Sequence, residues 1–82
     1  MERLTQKQTD GSWTAGSDAA ALERLAQYES MHEALETEYV KICADMERLR
    51  SAGRTNSATY RQLLGSKLTV RDLLDRIELY VK

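Results

Sequence analysis

The segment LAQYESMHEALETEYVKICADMERL, residues 25–49, decides the fold of this chain. Its apolar side chains recur three and four residues apart, which is the spacing of one face of an α-helix. Read as heptads, the two core positions hold Leu25, Tyr28, His32, Leu35, Tyr39, Ile42, Met46 and Leu49. We call these residues the heptad seam, and His32 is its polar break. A seam with a 3.5-residue repeat is typical of a helix that packs lengthwise on another helix, as in coiled coils.

The signals at both ends predict that this helix spans residues 18–52. The Ser17 hydroxyl can accept hydrogen bonds from free amide groups of the first turn, and the Asp18 carboxylate suits the positive end of the helix dipole. Gly53 can take the left-handed conformation that commonly ends a helix. Such a helix is about 52 Å long at about 1.5 Å per residue. We expect it to be longer than one small monomeric core can cover.

The rest of the chain predicts a returning arm broken into two helices, at residues 56–65 and 70–81. Gly65-Ser66 interrupts the arm, and Thr69 with Asp72 resembles a capping box that starts its second helix. The side chains expected to face inward are Tyr60, Leu63, Leu64, Val70, Leu73, Leu74, Ile77, Tyr80 and Val81. A short connection makes neighbouring helices antiparallel. We therefore predict an all-α fold over residues 17–82, a helical hairpin with a long helix and a broken returning arm, which assembles into an oligomeric helical bundle.

The composition favours helices and association. The chain of 82 residues is one domain at most, has no proline and only four glycines, and is 41% hydrophobic and 30% charged. Cores of this size are marginal without disulfides, metals or oligomerisation. Cys43 is the only cysteine, which excludes a disulfide within the chain. We therefore expect a homo-oligomer, with a dimer favoured.

Residues 1–16 are mostly polar, and we interpret them as a mobile N-terminal arm. Trp13 is their one aromatic side chain, and two alternatives stay open for it: docking on a neighbouring chain, or an ordinary surface position. The start of the chain has no apolar run of signal-peptide length, and no stretch reaches the roughly 20 apolar residues of a membrane span. We expect a cytoplasmic protein without a membrane partner.

Charge is divided unequally along the chain. Residues 1–47 carry ten acidic and four basic residues, or −6, whereas residues 48–82 carry three acidic and eight basic residues, or +5. We favour the interpretation that the acidic and basic segments pack against each other in a hairpin. The other interpretation is nucleic-acid binding, because Thr55 to Tyr80 has the outline of a helix-turn-helix. The residues that would contact DNA in that case are Arg61, Lys67 and Arg71.

The only metal-like spacing is Glu29-x-x-His32, which places a carboxylate and an imidazole on one helix face. A di-iron site needs further inward-facing carboxylates, whereas Glu33 and Glu36 are typical of a solvated acidic face. His32 and Cys43 are about 16 Å apart along one helix, so within one chain they cannot act as a nucleophile and its base. We therefore expect no metal site, no cofactor and no enzymatic activity.

Three segments carry a resemblance to a known group: MERLT at residues 1–5, DGSW at residues 10–13 and ALERLAQYE at residues 21–29. The combination resembles small uncharacterised proteins encoded in prophages and mobile elements of gut Clostridia and their relatives. The resemblance implies a genomic setting and no activity. We expect a non-enzymatic oligomeric module for protein interaction or scaffolding, with an unknown protein partner. The alternative is a small helix-turn-helix-like accessory protein that binds DNA.

Overall fold

Two long helices make up most of the structure, a computed structural model in which residues 1–81 are described. Four elements follow one another along the chain: strand β1 (Thr5–Lys7), strand β2 (Trp13–Ala15), helix α1 (Asp18–Ser51) and helix α2 (Ala58–Tyr80). The chain divides into two compact units, Met1–Met31 and a second that begins at His32. The first unit holds both strands and the first turns of α1, and the second holds the rest of α1 and all of α2.

In the second unit the two helices pack against each other, so the predicted all-α helical hairpin is confirmed. The buried side chains are Ile42 and Met46 of α1 and Val70 and Leu74 of α2. Around them pack the half-buried side chains of Leu35, Tyr39, Tyr60 and Leu63. Spacings of three and four residues bring these side chains onto one face of each helix.

Gly53 ends α1 in the conformation that its position predicts. Its φ of +71° is left-handed, which glycine adopts without the steric cost that a side chain would add. The Gly53 amide donates to the Arg50 carbonyl at 3.0 Å. The Arg54 amide donates to the Leu49 carbonyl at 2.8 Å, which completes a Schellman motif and uses carbonyls that the helix leaves free. The helix ends at Ser51, one residue before the predicted bound.

Serine hydroxyls cap the start of both helices. Ser17 Oγ accepts a hydrogen bond from the Ala20 amide at 3.2 Å, as predicted for α1. Ser57 Oγ accepts one from the Tyr60 amide at 3.1 Å at the start of α2. Each hydroxyl satisfies an amide group that has no partner inside its helix.

Helix α2 runs without interruption through Gly65 and Ser66, so the predicted break in the returning arm is wrong. A glycine inside a helix costs only about 1 kcal/mol relative to alanine, and the buried Val70 and Leu74 hold the following turns against α1. The predicted capping box at Thr69 is wrong for the same reason. Because Thr69 lies inside the helix, its hydroxyl donates to the Gly65 carbonyl at 3.1 Å.

The buried face of α2 is narrower than the predicted one. A single partner helix covers a stripe of a neighbouring helix and leaves the flanks of a wide apolar arc open to solvent. Val70 and Leu74 are therefore buried, and Ile77 beside them is half-buried. The side chains predicted to face inward but exposed in the structure are Leu64, Leu73, Tyr80 and Val81.

Strands β1 and β2, within the segment interpreted as a mobile N-terminal arm, form a small antiparallel sheet. The paired residues are Thr5 with Ala15, Gln6 with Thr14, and Lys7 with Trp13. Trp13 is stacked by the Arg3 guanidinium, whose carbon lies 4.7 Å from the ring centre, and it remains exposed to solvent. An ordinary surface position, one of the two alternatives for Trp13, therefore describes it within this chain.

The turn between the two strands is built around Asp10-Gly11. Gly11 has a φ of +90°, the left-handed region, and its amide donates to the Gln8 carbonyl at 3.0 Å. Asp10 Oδ1 accepts hydrogen bonds from the Ser12 amide at 2.9 Å and the Ser12 hydroxyl at 2.6 Å. These hydrogen bonds lower the pKa of Asp10, the Ser12 hydroxyl contributing most. Carboxylate acceptors and a left-handed glycine are what a tight hairpin turn requires.

The N-terminal segment lies on the first turns of α1 within the first unit. The Arg24 guanidinium donates to the Glu2 carbonyl. An open groove of about 310 Å³ separates the two segments, and its apolar lining includes Leu4, Ala21, Leu25 and Tyr28. These contacts hold residues 1–5 beside the helix.

Candidate interaction surface

Half of the heptad seam packs against other parts of the same chain. Four of its residues belong to the hairpin core: Leu35, Tyr39, Ile42 and Met46. The others line grooves: Leu25 and Tyr28 beside the N-terminal segment, His32 beside α2, and Leu49 beside the turn between the helices. Within the second unit, α2 therefore covers the middle of the seam, from Leu35 to Met46. Leu25, nearer the start of α1, stays 51% exposed, so the proposal that the seam also serves association keeps its place as a prediction.

A row of six residues on α2 faces away from the buried side chains: Arg61, Leu64, Leu68, Asp72, Asp75 and Leu79. We call this row the outer stripe. At about 100° per residue it occupies an arc of roughly 80°, on the side of the helix away from Val70 and Leu74. Leu64, Leu68 and Leu79 are 39%, 61% and 72% exposed. A single exposed leucine is ordinary on a protein surface. Leu64 and Leu68 lie one helical turn apart and form a small exposed apolar patch, the kind of surface that can take part in a contact.

The charge and polarity of the outer stripe change along the helix. Arg61 is its basic end, Leu64 and Leu68 form an apolar middle, and Asp72 and Asp75 make the following turns acidic. All of these residues are exposed. The stripe therefore has opposite charges on the two sides of its central leucines.

Charge is separated along the whole second unit in the same sense. Residues 45–67, around the turn between the helices, carry five basic and two acidic side chains, or +3. Residues 32–38 of α1 and 71–81 of α2 together carry two basic and six acidic side chains, or −4. These two segments lie side by side, since His32 lines one groove together with Arg71 and Glu78. The unit has a basic end at the turn and an acidic end away from it.

The three residues predicted to contact DNA do not share one face of α2. At about 100° per residue, Arg61 lies roughly 120° around the helix from Lys67, and Lys67 is half-buried. Arg61 Nη2 donates to the Asn56 carbonyl at 2.9 Å, and Arg71 pairs with Asp75 at 2.9 Å. The helix-turn-helix outline is wrong, because the residues that should form its turn are part of one continuous helix.

The ion pairs found among residues 1–81 join side chains of the same helix. They include Asp45 with Arg48, Glu47 with Arg50, Arg71 with Asp75, and Asp72 with Arg76. Residues three or four apart are neighbours on a helix surface, so these charged side chains find partners within one or two turns. The interpretation that the acidic and basic segments pack against each other in a hairpin is therefore not carried by these ion pairs, which lie within single helices.

Guanidinium groups connect the two helices through aromatic side chains instead. Arg71 of α2 lies over the Tyr39 ring of α1, and Arg50 Nη2 of α1 donates to the Tyr60 hydroxyl of α2 at 3.4 Å. Partial loss of hydration acts to lower the pKa of Arg71, but the Asp75 carboxylate and its other partners outweigh it, and the pKa is raised. The hydrogen bond to Tyr60 raises the pKa of Arg50. Both groups stay charged and serve as links between helices.

The residues singled out for metal or catalytic chemistry do not converge. His32 Nε2 lies 3.7 Å from Glu36 Oε1, but residues 1–81 contain no group of three or more His, Cys, Asp or Glu side chains placed to hold a metal ion. Cys43 is half-buried on α1, about 16 Å along the same helix from His32. In the described part of the chain, no helix is both long and apolar enough to cross a membrane.

The sequence pattern does not identify the outer stripe, because it predicts a break in the returning arm. With a break at Gly65, Leu64 lies at the end of the predicted helix 56–65, Leu68 falls in the connection before the predicted helix 70–81, and Leu79 has no counterpart. With α2 continuous, the same leucines recur at spacings of four and eleven residues on one face. That second apolar row is the signal that identifies the stripe.

Comparisons of the chain with protein-family models, with curated proteins and with solved structures find no match.

Proposed function

We propose that this protein is a non-enzymatic helical module that associates with itself, as a dimer, and serves protein interaction or scaffolding. The observation that carries the proposal is the imbalance between its core and its surface. Four apolar side chains are buried among the described residues, and none of them completely, whereas large apolar side chains of both helices are exposed.

Physical size supports the same proposal. A folded chain this small buries a low fraction of the surface that its unfolded state exposes. Small domains compensate with disulfides, metals or association. This chain has one cysteine and, among its described residues, no cluster suited to a metal ion. Association with a second chain is the remaining way to bury the exposed leucines.

The genomic setting, in a prophage or mobile element, is part of the proposal as well. The MERLT, DGSW and ALERLAQYE segments, which resemble proteins of prophages and mobile elements, support a phage-associated role in the bacterial cytoplasm. In the structure, Thr5 at the end of the first segment begins β1, the second segment spans the hairpin turn and Trp13 of β2, and the third lies in α1. All three segments belong to the first compact unit.

Sedimentation equilibrium of the full chain at micromolar concentration tests the proposal. We expect a mass above that of the 9.4 kDa monomer, with twice that value at saturation. The apparent mass should rise with protein concentration, because association follows mass action. A monomer at every concentration, combined with cooperative thermal unfolding, would contradict it.

A further inference from the structure

We infer that the outer stripe of α2 binds a second copy of this chain, with the two α2 helices antiparallel and related by a twofold axis at Leu68. The inference rests on the proposed function and goes beyond it, because it names the surface, the orientation and the register of the contact. Closed twofold dimers use the same patch on both copies, so that patch must be complementary to itself.

The outer stripe meets that condition. Arg61 stands seven residues before Leu68, and Asp75 stands seven residues after it. In an antiparallel pair centred on Leu68, these two residues face each other across the interface twice, about 10 Å along the helix on each side of the axis. The opposite charges of Arg61 and Asp75 of the partner subunit attract, and the same holds in the reverse direction.

The middle of the stripe supplies the apolar contact. Leu68 meets Leu68 of the partner subunit at the axis. In the same register Leu64 of each copy lies opposite Asp72 of the partner subunit, one helical turn from the axis, so the apolar contact consists of the Leu68 pair with the Leu64 side chains at its edge. Both residues are exposed in the single chain, so their burial would remove apolar surface from water. The apolar centre with charged flanks is the arrangement expected of a specific helix pair.

The parallel arrangement is disfavoured by the same residues. It would set Arg61 against Arg61 of the partner subunit and Asp75 against Asp75 of the partner subunit. Like charges at contact repel, whereas the antiparallel arrangement places each arginine opposite an aspartate. Charge over the whole second unit agrees, because antiparallel packing sets the +3 end of one copy beside the −4 end of the other.

Existing bonds of the two charged residues do not prevent this pairing. Arg61 uses one guanidinium nitrogen for the Asn56 carbonyl, and Asp75 uses Oδ1 for Arg71. A guanidinium has five N–H donors and a carboxylate accepts several hydrogen bonds, so both keep capacity for a partner. Both residues are exposed on the same side of α2.

The size of the stripe sets the expected affinity. Helix α2 has 23 residues and is about 35 Å long, with one helix face about 10 Å wide. This footprint lies at the small end of specific protein interfaces. Small interfaces are typical of weak, reversible association, so we expect dimer and monomer to exchange within the concentration range that sedimentation equilibrium covers.

The test compares the full wild-type chain with four variants by sedimentation equilibrium: Leu68→Lys, Arg61→Glu, Asp75→Arg, and the double variant Arg61→Glu/Asp75→Arg. We expect Leu68→Lys and each single charge reversal to raise the dimer Kd about tenfold or more. The double variant should restore dimerisation, because it re-creates the opposite pair with the signs exchanged.

Two matched controls use exposed residues outside the stripe. Val40 of α1 is 68% exposed, so Val40→Lys places the same charge on an equally open apolar position. Lys41→Glu reverses the charge of an exposed residue on α1, away from the stripe. Neither change should alter the dimer Kd, and circular dichroism should show that every variant keeps its helices.

The outcomes separate this inference from the proposed function. One outcome is a wild-type dimer whose Kd is unchanged by Leu68→Lys and in which the double charge reversal does not restore the dimerisation lost in the single reversals. That result overturns the stripe and retains the proposed function. A wild-type chain that is monomeric at every concentration overturns both. If Leu68→Lys loses its helical signal, the charge-reversal variants of Arg61 and Asp75 provide the test instead. Rescue of dimerisation by the double variant supports the stripe, and absence of rescue rejects it.

Discussion

The guanidinium carbon of Arg71 on α2 lies 5.2 Å from the centre of the Tyr39 ring on α1. The same guanidinium pairs with Asp75 at 2.9 Å on its own helix. A cation over the face of an aromatic ring is attracted by the ring's quadrupole, so this contact links the two helices beside their small core. Ion pairs within one helix add little to stability, so the contact with Tyr39 is the interaction by which we expect Arg71 to stabilise the hairpin.

A double-mutant cycle should detect this link. We expect Arg71→Ala and Tyr39→Leu each to lower the melting temperature, and the double variant to lose less than the two single losses together, because both changes remove the same contact. Arg71→Lys is the matched control, since it keeps the charge and loses the planar guanidinium. Losses that add fully would show that Arg71 and Tyr39 act independently.

Leu73 and Leu74 are adjacent on α2 and should respond differently to truncation. Leu74 is buried, so Leu74→Ala should lower the free energy of unfolding by about 2–5 kcal/mol through lost burial and a cavity. Leu73 is 43% exposed, so Leu73→Ala should cost clearly less. Urea unfolding at one fixed protein concentration gives both values. Equal losses would mean that Leu73 is buried in solution, for example against another chain.

Periodicity and turn chemistry predict the hairpin from local signals. The heptad seam contains Ile42 and Met46, which become half of the core. Gly53 ends α1 because a left-handed residue is needed there, and Ser17 caps its start. Each of these features depends on residues a few positions apart, so a single sequence is enough to identify them.

Other features depend on interactions that local patterns do not contain. Gly65 resembles a break in isolation, but the packing of Val70 and Leu74 outweighs its small cost. The apolar arc of α2 does not reveal how many neighbours cover it, so the exposure of Leu73 is not predictable from spacing. The hairpin at Asp10-Gly11 does carry a local signal, an Asp-Gly pair, but its strands lack the alternation of apolar residues that usually accompanies it.

Gly65, inside α2, and Gly53, between the two helices, offer a matched test of the continuous α2. Gly65 lies inside the helix with no heavy atom within 4 Å of an added Cβ, so Gly65→Ala should raise the free energy of unfolding by about 0.5–1 kcal/mol. Gly53 has the same open space but a φ of +71°, so Gly53→Ala should lower it by roughly 1–2 kcal/mol. Thermal unfolding of the two variants shows whether each is more stable or less stable than the wild-type chain. Destabilisation by Gly65→Ala would favour a broken returning arm.

Asp10 makes the N-terminal hairpin sensitive to acid. Hydrogen bonds from Ser12 hold the pKa of Asp10 below its usual value of 3.8 in the folded chain. A lowered folded-state pKa means that the stabilisation is fully present above pH 3.8 and is lost as the pH falls through the lowered pKa.

Trp13, the only tryptophan, lies on β2, so its fluorescence between neutral pH and strong acid should report the loosening of the turn. Asp10→Asn keeps an oxygen acceptor and does not titrate, so the difference between the two titrations isolates Asp10 from the other carboxylates. Identical titrations of the two proteins would show that the Asp10–Ser12 hydrogen bonds do not stabilise the hairpin.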